Sequence, residues 1–483
     1  MKTSFVFGAG ADSGIFPLTN HLVAAINTYL TKDPEGKEAD RLIKQRLGFH
    51  SFSYESIMDN AAYTFIRRND QGKIEKLAKK TASVQEERLP EKEKAGLDFI
   101  REMVRTLVSE PKKSRDKEPA SEKKELMELA VKAGLSKTVT VSGKTTVSMF
   151  LRQAVRKLLH EYLAEPENKV LHTLFKCIVN LDEILLEYFL GFYNGNKVSM
   201  RRYEYLSWTM WAFFVSTEIS YHRNRKSQGA KCSIYEKIRG FPAITLNYTT
   251  LASMCPSCPE LIHFHGSVLD YIDCMTRDEK RIPSFAGIRS LADAENADTI
   301  AILKNEILPL IKPSRGKDSP PDSCIIPSMM PPFEIKPIIA NDLIDTWHHA
   351  FDLMRNSDCI VVIGYSFNHI DSHFNDVILD LAKRKTENGG WEKRIYIINP
   401  DVKSIHRYFD GMDFLSGHTW NTAELPGTGL SCHTKANITL IPETTWNLLE
   451  KTGNSNSLFF CPENQPPKPS ARINLVTVCS AKP

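Results

Sequence analysis

Cysteine is scarce in this chain, with 10 irregularly spaced residues in 483. That density excludes a disulfide scaffold and fits a reducing cytoplasm. Long apolar runs are missing as well. The most apolar helical window, Ser207 to Ile219, is too short to span a bilayer and reads as a buried helix. The first strand begins within a few residues of Met1, so no cleavable leader is expected. An excess of one charge is also lacking. The net charge of +4 is small for this length and gives no argument for whole-chain binding to nucleic acid or a membrane. No Gly-x-x-x-x-Gly-Lys-Ser/Thr loop occurs, which removes P-loop ATP chemistry from consideration, and no internal repeat is visible.

What remains is a globular composition, 42% hydrophobic and 25% charged. The length exceeds one ordinary domain and predicts about two or three structural units. A β-type run, Thr3 to Phe7, leads at once into Gly8-Ala9-Gly10-Ala11-Asp12-Ser13-Gly14. The loop is expected to open a helix whose apolar residues Leu18, Leu22, Ala25, Ile26 and Tyr29 share one face. Glycines at the carboxyl end of a first strand let backbone approach a pyrophosphate, although a glycine pair after a strand is also an ordinary tight turn.

From about Tyr54 to His222 the periodicity is helical, over 54–68, 94–108, 147–163, 169–193 and 201–222. The mixed-charge stretch 110–119, with two prolines, reads as a solvated loop. Short strands follow at 241–247, 260–264, 358–363 and 394–398. The last two are apolar on both faces, as buried parallel strands are. A helix fits 343–356, with Leu343, Trp347, Phe351 and Met354 along one side, while 312–337 reads as an irregular excursion. The pattern predicts an α/β fold, a Rossmann-like parallel sheet formed by 1–50 and 240–423. Residues 51–239 are expected as a helical insertion between the first and second strands. The tail 424–483 carries one strand-like piece at 437–441 and no assignable role.

Several polar residues sit where strands should end. Asn247, in Thr245-Leu246-Asn247-Tyr248, is placed to face a ligand crevice, or to form a turn. In His263-Phe264-His265-Gly266-Ser267, strand alternation puts the two histidines on one face. His265, at the strand end, is a candidate general base or a hydrogen-bonded structural histidine. Gly364-Tyr365-Ser366-Phe367 with Asp371 suits contacts to ribose or phosphate, and Asn399-Pro400 suits a nucleotide edge. Cys255-Pro256-Ser257-Cys258 has metal-ligand spacing, but no second such pair exists, and Cys232, Cys274 and Cys324 are scattered. A structural zinc needs four ligands, so the pair reads as loop thiols and no metal is expected. The lysine- and arginine-rich stretch 112–157 reads as a solvated helix face rather than a nucleic-acid contact, because acids are interleaved and aromatics are few.

The order of these pieces resembles the sirtuin-like domain of prokaryotic NAD hydrolases of anti-phage defence. Ile326-Pro327 to Pro331-Pro332 with Lys336, then Trp347, Ala350 and Asp358, add to the resemblance, which covers about 1–50 and 240–402. It implies that NAD is the substrate. Gly8, Ala9 and Gly10 would cradle its pyrophosphate, with Asp12 in the same loop. Asn247 would bind the nicotinamide ribose and help place water, and His265 would be the catalytic histidine. Gly364 and Ser366 would hold phosphate or the adenosine ribose. Asp371 would order the loop or bind a hydroxyl, and Asn399 would lie near the adenosine. One departure is Thr249, where relatives usually carry Asp; Asp12 is the candidate to compensate. The resemblance also implies a cytoplasmic homo-oligomer held inactive until infection, with a partner such as a HerA-like ATPase. Rival readings are an NAD-dependent deacylase or ADP-ribosyltransferase, and a module that senses NAD or ADP-ribose without turnover.

Overall fold

The computed structural model describes residues 2–17, 22–49, 71–84, 89–109, 181–194, 196–228, 233–294, 296–312, 323–330, 340–367, 371–425 and 430–444, with a few shorter stretches between 52 and 177. The chain divides into two compact units, one of Met1–Thr19 and Tyr188–Pro483, the other of Asn20–Glu187.

The described part of Asn20–Glu187 contains helices α1 (Leu22–Lys32), α2 (Pro34–Leu47), α3 (Gln71–Ala82) and α4 (Glu91–Ser109). Their boundaries follow local chemistry. Asp33 accepts from the N–H groups of Glu35 and Gly36, Pro34 occupies the first turn, and Gly48 ends α2 with φ +74°. In α1, Leu22, Ile26 and Tyr29 are buried as expected, Ala25 is half-buried, and Leu18 lies outside the described residues.

The other unit is built on two sheets. Its strands are β1 (Thr3–Phe7), β2 (Ala243–Thr245), β3 (Leu261–His263), β4 (Gly266–Asp273), β5 (Asp278–Arg281), β6 (Ile325–Met329), β7 (Cys359–Ile363), β8 (Arg394–Ile398), β9 (Asn421–Leu425), β10 (Leu430–Lys435) and β11 (Ile438–Ile441). An eight-stranded sheet runs β3-β2-β1-β7-β8-β11-β10-β9, and β4 to β6 form a three-stranded sheet in the order β5-β4-β6. The large sheet is parallel from β3 to β11 and antiparallel at β10 and β9. Every residue of β1 and β7 is buried, which is why both read as unbroken strand-formers.

Further helices are α5 (Leu181–Tyr193), α6 (Lys197–Gln228), α7 (Asn341–Arg355), α8 (Ser372–Ala382) and α9 (Val402–Asp410). Met354 of α7, Phe374 and Ile378 of α8 and Phe409 of α9 pack with Val6, Val362 and Ile397 of the sheet. Helix α6 packs on the smaller sheet. Its Trp208 and Trp211 indoles donate to the carbonyls of Ile325 and Val268, each at 2.7 Å. The architecture is α/β, with a mostly parallel mixed sheet compatible with a Rossmann-like fold. Among the described residues, no helix is long and apolar enough to cross a membrane.

Three expectations on organisation differ from the structure. The helical unit runs Asn20–Glu187, not 51–239; it ends before α6, which buries its indoles and Glu204 against β4 and β6. Residues 312–337 are not wholly irregular, since Ile325–Met329 forms a fully buried strand. The chain past 424 is not a separate tail up to 441: β10 and β11 continue the sheet beside β8. Most of 54–68, 110–119, 112–157 and 147–163, and the chain beyond 444, lie outside the described residues.

Candidate functional site

Five adjacent parallel strands deliver the expected motifs to one edge. Gly8 follows β1, Asn247 lies just past β2, His265 just past β3, Gly364 follows β7 and Asn399 follows β8. β2 lies on one side of β1 and β7 on the other, so the strand order reverses between β1 and β7. The carboxyl edge at such a reversal is where open α/β sheets bind ligands.

At that reversal two glycine turns meet. Gly8 N donates to Ile363 O at 2.9 Å and Gly10 N to Gly364 O at 2.8 Å. A Cβ on Gly8 would lie 2.7 Å from Tyr365 Cα, and one on Gly10 would lie 2.8 Å from Gly364 Cα. Close backbone approach therefore requires these glycines. Their N–H groups are committed to the neighbouring turn, and Ala9 between them is exposed. The loop runs into a single short turn, Ala9–Asp12, rather than directly into a long helix. Across from it Gly364 has φ +68° and Phe367 φ +51°, with Ser366 exposed between them. A left-handed phenylalanine is costly backbone of the kind found at ligand clamps.

Asp12 points inward rather than toward the crevice. Its Oδ1 accepts from the Tyr235 hydroxyl and its Oδ2 from Thr249 Oγ1 at 2.7 Å. Burial raises its carboxyl to about 7, further helped by the nearby Glu218 and opposed by the hydrogen bonds from Tyr235, Thr249 and Asn247. Asn247 Nδ2 donates to Gly8 O at 3.0 Å and lies 3.5 Å from the Tyr235 hydroxyl. Asp12, Asn247 and Thr249 are thus one buried cluster with Tyr235.

His265 is buried, 4% exposed, and therefore held in one orientation. Its Nδ1 lies 3.1 Å from Leu246 O, a carbonyl that only accepts, which assigns the Nδ1 proton. Nε2 then carries the lone pair, 3.4 Å from Asp371 Oδ1. Asp371 precedes α8 and makes no side-chain cap there. Phe264 packs edge-on against the His265 ring at 5.2 Å and stacks on Trp347, whose indole donates to Phe264 O at 2.8 Å. β3 ends at His263, so strand alternation does not extend to His265. His263 instead lines a cavity of about 770 Å³ with Cys255, Cys258, Asp270, Glu279, Arg281 and His349. Burial, with Arg281 nearby, pushes His263 down to about 4.

Asn399 has both ends of its amide engaged: Nδ2 donates to Tyr365 O at 2.9 Å, and Oδ1 accepts from Asp401 N at 2.8 Å. It ties the end of β8 to the Gly-Tyr-Ser turn. Cys255 and Cys258 are both thiols pushed up by burial, and Cys258 donates to Glu260 O. Among the described residues, no group of three or more His, Cys, Asp or Glu side chains is arranged to hold a metal ion.

Tyr235 escaped the sequence reading. It sits in a short turn, Ile234–Lys237, outside any strand-end motif, and only its partners, distant in sequence, give it meaning. Compared with known proteins, the chain matches no family model and no curated sequence.

Proposed function

We propose that this chain is an NAD hydrolase that cleaves the nicotinamide–ribose bond, on a sirtuin-like Rossmann site. The observation that carries the reading is the His265–Asp371 pair beside Asn247, at the carboxyl edge where the strand order reverses. Nicotinamide is cationic in the substrate and leaves as a neutral ring, so little acid catalysis is needed. The site must hold the ribose, tolerate an oxocarbenium-like centre and supply a base. His265 Nε2 takes the proton from water or a ribose hydroxyl, and Asp371 stabilises the resulting imidazolium. Asn247 binds the ribose hydroxyl and places water. Gly364, Ser366 and the Gly8–Gly10 turn line the path of the phosphates, and Asn399 holds the adenosine side of that path in shape.

The wider role proposed rests on the sequence resemblance: a cytoplasmic, oligomeric effector of anti-phage defence that depletes NAD, triggered by a partner such as a HerA-like ATPase. Nicotinamide release from NAD by the purified chain is the test. Loss of that release in His265→Ala by a factor of about a hundred or more is expected. Equal rates would refute the site.

A second reading has one observation in its favour. The cavity lined by His263, Gly266 and Ser267 borders the chain on both sides of His265 and is large enough for an acceptor. An NAD-dependent transferase or deacylase would release nicotinamide only when an acylated or nucleophilic acceptor is added, whereas a hydrolase needs none.

A further inference from the structure

Asn247 is only as useful as the orientation of its amide. An amide can present either its oxygen or its NH₂ group to a ligand, and hydrogen-bond partners decide which. Here Gly8 O, which can only accept, lies 3.0 Å from Nδ2. The second Nδ2 proton has the Tyr235 oxygen at 3.5 Å. Both protons are then directed into the protein, and Oδ1 becomes the atom offered outward. A flipped amide would set Oδ1 against the Gly8 carbonyl.

Tyr235 is itself rigidly placed. Its N–H is held by Ser233 Oγ at 3.3 Å, its ring packs edge-on against Phe7 at 4.8 Å, and it is 1% exposed. Its hydroxyl proton goes to Asp12 Oδ1, which turns the oxygen's lone pairs toward Asn247.

Resting on the hydrolase reading, we propose that Tyr235 is a positioning residue for Asn247: the hydroxyl it shares with Asp12 locks the amide with Oδ1 facing the ribose. The relay is directional. With Asp12 ionised, Asn247 is held both through the Tyr235 hydroxyl and by its own hydrogen bond to the carboxylate, and Thr249 donates to the other carboxylate oxygen. With Asp12 protonated, its own proton competes for the Tyr235 oxygen and the lock loosens. Asp12 titrates near 7, so the change falls in an accessible range. Among the described residues, Glu218 of α6 also faces this cluster; it accepts from Thr250 and lies 3.6 Å from His222. Cys255 also lies near Tyr235.

Tyr235→Phe in the full chain tests this, because it keeps the ring and removes only the hydroxyl. In protein labelled with ¹⁵N-asparagine, the side-chain amide signal lost in Asn247→Ala identifies Asn247. In the wild type that signal should move with a midpoint at about pH 7, and in Tyr235→Phe the movement should fall to less than about half, what is left coming from the direct bond of Asn247 to Asp12. A signal that ignores pH in the wild type, or titrates unchanged in Tyr235→Phe, overturns the proposal. This readout needs no turnover, so it stands even if NAD hydrolysis is not found. Where NAD is hydrolysed, Tyr235→Phe should lower kcat about tenfold, roughly 1.4 kcal/mol of transition-state stabilisation, with KM nearly unchanged. A rise in KM alone counts against positioning. Should Tyr235→Phe fail to fold, Asp12→Asn keeps the tyrosine and must abolish the titration of the Asn247 signal.

Discussion

Thr249 Oγ1 donates to Asp12 Oδ2 at 2.7 Å, joining two residues 237 positions apart. A carboxylate carried by the glycine loop thus lies against the residue two places after Asn247.

Asp12 is raised from 3.8 to about 7 in the folded chain. Between those values the unfolded chain is ionised while the native state keeps its proton. Its stabilising contribution is thus complete below about pH 4 and is lost as pH rises through about 7, at about 1.4 kcal/mol per unit. Asp12→Asn removes that slope. Urea unfolding at about pH 5 and about pH 7 should show the variant gaining on the wild type by about 2 kcal/mol across the interval. A pH-independent difference would contradict the burial assigned to Asp12.

Asp371→Asn should leave His265 in place and remove the charge 3.4 Å from Nε2. The imidazolium formed when His265 takes a proton then loses its counter-charge. A drop in kcat of about tenfold to a hundredfold, with NAD binding retained, is expected in steady-state kinetics. Unchanged kcat would separate Asp371 from the chemistry.

At Gly364 two penalties add. The backbone has φ +68°, and a Cβ would lie 2.3 Å from Ala11 N. Gly364→Ala should cost about 2–4 kcal/mol in chemical denaturation, since neither turn can retreat without moving a strand end.

Asn399 distinguishes a structural clamp from a ligand contact. Asn399→Ala leaves Tyr365 O and Asp401 N without their partner and should destabilise the fold by about 1–3 kcal/mol. Loss of NAD affinity at full stability would instead indicate that the amide touches the nucleotide.

Much of the sheet was legible because its strands carry their own signal. Cys359–Ile363 and Ile395 to Ile398 are runs of buried, mostly β-forming residues, and the structure has strands at those positions. β5 was not legible. Its sequence Asp-Glu-Lys-Arg has no apolar residue, and it is a strand only because its backbone pairs with β4, where Asp270 Oδ1 meets Arg281 Nε at 2.7 Å. β6 was hidden by Pro327, which a short edge strand tolerates. The histidine pair shows a different failure. Alternation predicts a shared face only while the strand continues, and β3 stops at His263.

Local pattern was enough to set the α/β class, the strands that form the parallel core and the identity of the polar residues at their ends. Each of those follows from side-chain character over a few consecutive positions. The meeting of Gly8 with Gly364, the pairing of His265 with Asp371, and the Asp12–Tyr235–Asn247 relay depend on the order of strands across the sheet. That order arises from packing between segments hundreds of residues apart, and no local property of either segment encodes which one it will touch.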